Sequence, residues 1–129
     1  MTEYKSKKSL EKLSQILKSN KSLQKETFEK LNANVLFEIS NKKDKVIWIL
    51  NSKDEHNIEL KNINSSDNSP HSNDILIKID DNNLKKLING KQSAQKLFMI
   101  GKLKIKGNVM KASYIEKLLK FAGNEKAKL

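Results

Sequence analysis

Hydrophobic and polar positions alternate strictly from Gly101 to Asn108: Leu103 and Ile105 point one way, Lys102, Lys104 and Lys106 the other. A period of two predicts a half-buried strand. Gly101 and Gly107 bound it, and three outward lysines discourage pairing with another chain if the strand lies at a sheet edge. The next stretch, Val109 to Ala122, is the most apolar helical pattern in the chain. The stretch before it is helical too and ends in Leu97-Phe98-Met99-Ile100. A strand held between two apolar helices predicts the core unit of a domain built from both.

The rest of the chain is fitted around that unit. Ser9 is placed to cap a first helix reaching about Ser19, with Leu10, Leu13, Ile16 and Leu17 as its apolar stripe. After a break at Ser19-Asn20-Lys21-Ser22 comes a second helix to about Ala33, carrying Leu23, Phe28 and Leu31. Val35, Phe37 and Ile39 alternate in a first strand, and Asn41 to Asp44 reads as a hairpin turn. Val46-Ile47-Trp48-Ile49-Leu50 is apolar throughout, which predicts a central strand covered on both faces. Asn57 to Ile63 alternates as a third strand, completing an antiparallel meander.

A loop from Asn64 to Asn73 holds the only proline, Pro70. Asp74 to Ile79 is the fourth strand. Asp80 or Asp81 then caps a short helix with Leu84, Leu87 and Ile88, which Gly90 terminates. Gln92 or Ser93 opens the following helix. Every glycine falls at an element boundary, so pattern and punctuation agree. The pattern thus places five strands and about five helices in one α+β domain. Residues 1–122 read as one domain and 123–129 as a flexible tail.

The last helix has more apolar surface than docking on a sheet requires. At about 100° per residue, Met110, Phe121, Tyr114, Leu118, Ala122, Ile115, Leu119 and Ala112 sweep roughly 200°, whereas one buried stripe needs ~100°. Two explanations stand side by side. The helix is wedged between the sheet and another helix, or closes a dimer; or one flank packs while the other lines an apolar cavity. Leu97 to Ile100 add to the surplus, since four consecutive apolar residues cannot all face one core. Methionines at such a wall adapt to varied apolar shapes.

Composition narrows the function. Across 129 residues the net charge is +11, which raises nucleic acid or anionic lipid as partners. All 26 basic residues are Lys, however, and they run along the whole chain; Arg, the usual reader of bases and phosphates, is absent. A basic solvated surface is the simpler account, and no nucleic-acid partner is assigned. With no Cys there is no disulfide or thiolate chemistry. Met1 to Leu10 is too charged for a secretory signal, and no apolar run is long enough to span a bilayer.

Enzymatic chemistry finds no constellation. His56 and His71 sit in predicted loops near Asp54, Glu55, Asp67 and Asp74, without metal-ligand spacing. There is no Gly-rich phosphate loop and no nucleophile elbow. Asp80-Asp81 is explained as a cap, so no catalytic residue, metal or cofactor is assigned. The tripeptide Ala127-Lys128-Leu129 matches the Ser-Lys-Leu type of peroxisomal address, with Ala in the Ser place. Such an address is read by an import receptor.

These residues resemble the sterol carrier protein 2 family, the nonspecific lipid-transfer proteins. The likeness is carried by Asp74-Ile75-Leu76-Ile77, Asp80-Asp81-Asn82-Asn83-Leu84, Gly90-Lys91, Phe98, and above all Gly101 to Asn108 followed by an amphipathic helix. Val46 to Leu50 resembles the family's second strand. Departures are the missing proline near Gln92, apolar Ile100 in place of a polar residue, and Leu97 in place of Ala. The resemblance implies a five-stranded mixed sheet covered on one face by about five helices, with an apolar tunnel between them for fatty acids, fatty acyl-CoA, phospholipids or sterols. It also implies a stand-alone peroxisomal matrix carrier supporting fatty acid β-oxidation, without catalysis or cofactor.

On this reading the tunnel is lined by Leu17, Phe28, Leu31, Phe98, Met99, Ile100, Met110, Tyr114, Ile115, Leu118 and Leu119. Lys91, Lys102, Lys104 and Lys106 attract CoA phosphates or anionic bilayers during transient membrane contact, and the protein is a monomer. Three rivals are a basic nucleic-acid-binding module, an acyl-CoA-acting enzyme, and a dimeric interaction module without lipid.

Overall fold

The alternating Val35, Phe37 and Ile39 turn one face of a strand fully inward, and that strand becomes the middle of the sheet. The structure, a computed structural model, describes residues 4–42, 44–63 and 74–123. Strand β1 (Asn34–Ser40) pairs antiparallel with β2 (Lys45–Asn51), which pairs antiparallel with β3 (Glu59–Ile63). On its other side β1 runs parallel to β4 (Ile75–Asp80), with Val35 opposite Ile75, and β4 runs antiparallel to β5 (Leu103–Lys106). The order is β3-β2-β1-β4-β5, so the five-stranded mixed sheet implied by the resemblance is present and β5 is an edge.

One placement needs correcting. β2 lies one step off centre, and both its faces are not covered alike. Trp48 and Leu50 are buried in the main apolar cluster, while Ile47 on the opposite face is half-buried. Ile49 shares that outer face and is buried without joining the main cluster; its cross-strand neighbours are Leu36 and Lys61. A lysine stem can shield such a residue while its ammonium stays in water, so a wholly apolar strand arises without a second helical layer.

Helix α1 (Lys7–Ser19) buries Leu10, Leu13 and Leu17. It starts before Ser9, which lies buried inside it and accepts a hydrogen bond from Lys85 Nζ at 3.0 Å. The start is fixed from a distance. The Asp81 carboxylate accepts the Lys5 and Ser6 backbone N–H groups at 2.6 and 3.0 Å and the Ser6 hydroxyl at 2.6 Å. Asn20 caps α2 (Lys21–Lys30) by accepting the Leu23 N–H at 3.0 Å. That helix stops short of Ala33 because Asn32 turns left-handed, with φ of 42°. Ser52 then holds Ala33 through both its N–H and its carbonyl, delivering the chain to β1.

Asp80 caps α3 (Asp81–Ile88) by accepting the Asn83 N–H at 3.1 Å, and Ser93 caps α4 (Ala94–Met99) by accepting the Lys96 N–H at 3.1 Å. The last helix is not continuous from Val109. A 3₁₀ turn over Val109–Lys111, with the Asn108 side chain accepting the Met110 N–H at 3.0 Å, leads into α5 (Ala112–Gly123). Gly107, at φ of 110°, makes the close approach between β5 and β4: a Cβ there would drive into the Asp74 backbone carbonyl. Only glycine suits both demands.

Candidate functional site

α5 packs against α1 and α3 as well as over the sheet, which accounts for its wide apolar arc. Its buried residues are Tyr114, Ile115, Leu118, Leu119 and Ala122, each large side chain contributing ~1.5–3 kcal/mol. Ile115 and Leu119 do more than fill the core. They roof a cavity floored by Phe37, Ile77 and Ile79 of the sheet, closed at one side by Leu84 and Leu87 of α3 and at the other by Leu103 and Ile105 of β5. Ala94, Ala112 and Glu116, half-buried like Ile105, are where the wall comes nearest to solvent, and this side is taken as its mouth.

Every wall residue but Glu116 is apolar, and Glu116 is already engaged. Its carboxylate accepts the Ala94 N–H at 3.1 Å and pairs with Lys120 Nζ at 3.6 Å, tying α4 to α5 across the mouth. The free interior is about 20 Å³, room for about one water, whereas sites for small ligands run to ~300–1,000 Å³. A long guest therefore requires a wall to move. The slightest wall is α4: six residues, one fully buried side chain (Leu97), and the Glu116 bond.

The sequence-expected lining scatters. Ile115 and Leu119 reach the cavity. Leu17, Leu31 and Leu118 are buried in the surrounding core, with Phe28 packed against it. Phe98, Met99, Ile100 and Met110 point outward and are 51, 75, 55 and 84% exposed; of the run Leu97 to Ile100, only Leu97 goes inside. The sheet and α3 residues on the cavity wall are not among the expected lining. Their signal was there, since inward positions of adjacent strands necessarily lie beneath the helix that covers them.

Tyr114 belongs to a polar clasp between α2 and α5. Its hydroxyl donates to Glu26 Oε2 at 3.0 Å and lies 3.0 Å from Thr27 Oγ1, while Lys117 Nζ reaches the same Glu26 oxygen at 3.3 Å. Burial, helped by the Glu26 charge, pushes the phenol up to about 12. Its hydrogen bond, with Lys117, holds the Glu26 carboxyl below the usual range. Across the molecule, the Asn34 N–H and Lys53 hold the Asp74 carboxyl low in the same way. Lys91, Lys102, Lys104 and Lys106 are all exposed and make no ion pair among the described residues. His56 is exposed on a turn where its N–H bonds Asp54, and no group of three metal-binding side chains exists among the described residues. His71, Pro70 and the tripeptide Ala127-Lys128-Leu129 lie outside the described residues.

A mixed sheet covered by helices over a cavity whose wall is apolar but for the engaged Glu116 defines a domain for apolar guests. The sequence carries the same message. Residues 13–120 match the SCP-2 sterol transfer family, and the chain belongs to it as a lipid-binding and transfer domain. It is 42% identical over 101 residues to a fatty acid-binding protein of Yarrowia lipolytica, covering 77% of this chain and 74% of that one. It is 35% identical over 103 residues, 79% of this chain and 77% of the other, to the oleate-induced peroxisomal protein POX18 of Candida maltosa. The fold superposes on sterol carrier protein 2 of Yarrowia lipolytica (apo form) with a TM-score of 0.73 and 34% identity, over 90% of each chain.

Proposed function

We propose that this chain carries long acyl chains, as free fatty acids or fatty acyl-CoA, in the cavity beneath α5. Phospholipids and sterols are further apolar cargo. The observation that carries this reading is the cavity wall itself, apolar except for Glu116 at the mouth and roofed by Ile115 and Leu119. A guest there gains ~0.8 kcal/mol per CH₂ removed from water, so chain length outweighs head group. α4 swings aside to admit it, because the Ala94–Glu116 bond and Leu97 are what hold that wall. For a CoA ester, Lys91, Lys102, Lys104 and Lys106 meet the phosphates, an interaction that weakens with salt.

The names of the two relatives support a peroxisomal matrix role serving fatty acid β-oxidation: one is a fatty acid-binding protein, the other oleate-induced and peroxisomal. The Ala127-Lys128-Leu129 tripeptide is then the import receptor's ligand. The test is native mass spectrometry of the purified protein, followed by titration with a fatty acid and its CoA ester. Trp48 reports the titration, since it is buried and lies directly across from Phe37 on the cavity floor. One-to-one binding is expected; a protein that binds neither ligand overturns the reading.

A further inference from the structure

The five large apolar side chains most exposed among the described residues are Phe98, Met99, Ile100, Val109 and Met110. They flank β5 in the chain, three before it and two after it. α4 and the 3₁₀ turn stand at the two ends of β5, which is the sheet's edge strand. Each group also borders the cavity mouth: Phe98 is one turn from Ala94, and Val109 and Met110 lead directly into Ala112.

The charge of this segment is as unusual as its apolar content. Lysines occur throughout the chain, but acids do not. Between Asp81 and Glu116 there is no Asp or Glu, while Lys85, Lys86, Lys91, Lys96, Lys102, Lys104, Lys106 and Lys111 contribute eight positive charges. The acids that adjoin the segment, Asp74 and Glu116, are paired with Lys53 and Lys120, so lysine remains in excess. Exposed apolar side chains among such lysines fit a surface that is negative outside and hydrocarbon within. A second copy of the same face would bring like charges together, and nucleic acid offers no medium for protruding Met and Ile.

We infer that the face formed by α4, β5 and the Val109–Lys111 turn docks on an anionic phospholipid bilayer, with Met99, Ile100, Val109 and Met110 entering the acyl boundary and the lysines resting among the phosphates. This deepens the carrier reading, because the inserted residues are those beside the mouth, and pulling on α4 separates it from α5 at the point where a lipid would pass.

Vesicle co-sedimentation of the ligand-free full chain tests it, using phosphatidylcholine with and without phosphatidylglycerol. Binding is expected only with the anionic lipid and is weakened by salt. Met99→Glu/Met110→Glu is expected to lower it at least about tenfold, each tenfold being ~1.4 kcal/mol. Both side chains are exposed and away from the cavity wall, so fatty acid affinity measured by Trp48 stays unchanged and shows that the variant is folded. Equal binding to neutral vesicles, an unaffected double variant, or a dimer that the double variant dissolves would each overturn the docking surface. Failure of the carrier reading is seen separately, as absence of fatty acid binding in solution.

Discussion

Asp81 and Ser6, 75 positions apart, are joined by two hydrogen bonds: the carboxylate accepts the Ser6 N–H at 3.0 Å and its hydroxyl at 2.6 Å. With the Lys5 N–H at 2.6 Å, one side chain in the first turn of α3 also fixes the beginning of α1. Two helix N-termini thus converge on one negative charge, an arrangement both macrodipoles favour.

Removing that carboxylate leaves buried donors without a partner. Asp81→Ala is expected to lower unfolding free energy by about 2–3 kcal/mol, with Asp81→Asn intermediate because one acceptor oxygen survives. Urea denaturation reads both; a loss within error for Asp81→Ala means that the link contributes nothing.

Tyr114 makes stability fall in alkali. Its folded pKa is raised to about 12 from the ordinary 10.0, so the neutral phenol is the form that folding favours. The stabilisation is complete below about pH 10 and is lost as pH rises toward about 12. Tyr114→Phe is expected to flatten the decline in that window, leaving the smaller part due to Tyr4, which burial also raises. Equal slopes for the two proteins would contradict this.

The acid limb has the opposite sign. Glu26 and Asp74 are held below the usual carboxylate range, so their contribution is present above the unfolded value near ~4 and lost as pH falls through the folded one. Denaturation curves below about pH 4 should show a shallower acid decline for Glu26→Gln/Asp74→Asn than for the parent.

Two glycines separate strain from collision. Both have positive φ, but Gly90 has open space where a Cβ would stand and Gly107 has the Asp74 backbone. Gly90→Ala should cost about 1–2 kcal/mol, and Gly107→Ala more than the ~1–3 kcal/mol of backbone strain alone. Comparable melting temperatures for the two variants would show that β5 yields to the added methyl.

The cavity is tested at its mouth, where a bulky side chain plugs without disturbing the core. Ala112→Trp is expected to weaken fatty acid binding at least about tenfold, and Met99→Trp to leave it unchanged. The reverse pattern, read by isothermal calorimetry, would move the lipid to the outer face of α4.

Much of this was legible in the pattern of residues. The period of two at Leu103 to Ile105, the glycines around it and the Asp80 cap are local signals, and the structure keeps each of them. What failed depended on distant partners. Ser9 has the chemistry of a cap, but a carboxylate far along the chain sets the start of α1 at Ser6 instead. Val46 to Leu50 looked central because an apolar run does not say whether helices or lysine stems cover its second face. Phe98 to Ile100 looked like lining because hydrophobicity does not distinguish a side chain that fills a cavity from one that waits beside it. The signal for the outer face was an absence, the missing acids from Asn82 to Ile115, which the even spread of lysines masks.

The parallel pairing of β1 with β4 has a consequence for synthesis on the ribosome. β1 meets β2 almost at once, but its other neighbour follows 40 positions later, as Asn34 and Asp74 mark. At ~5–20 residues per second that delay is ~2–8 s. Throughout it, the nascent meander presents the bare flank of β1, the middle strand of the finished sheet, and the lysines that protect the finished edge at β5 have not yet been made. The interval before β4 emerges is therefore when this protein is most open to association with its own unfinished copies.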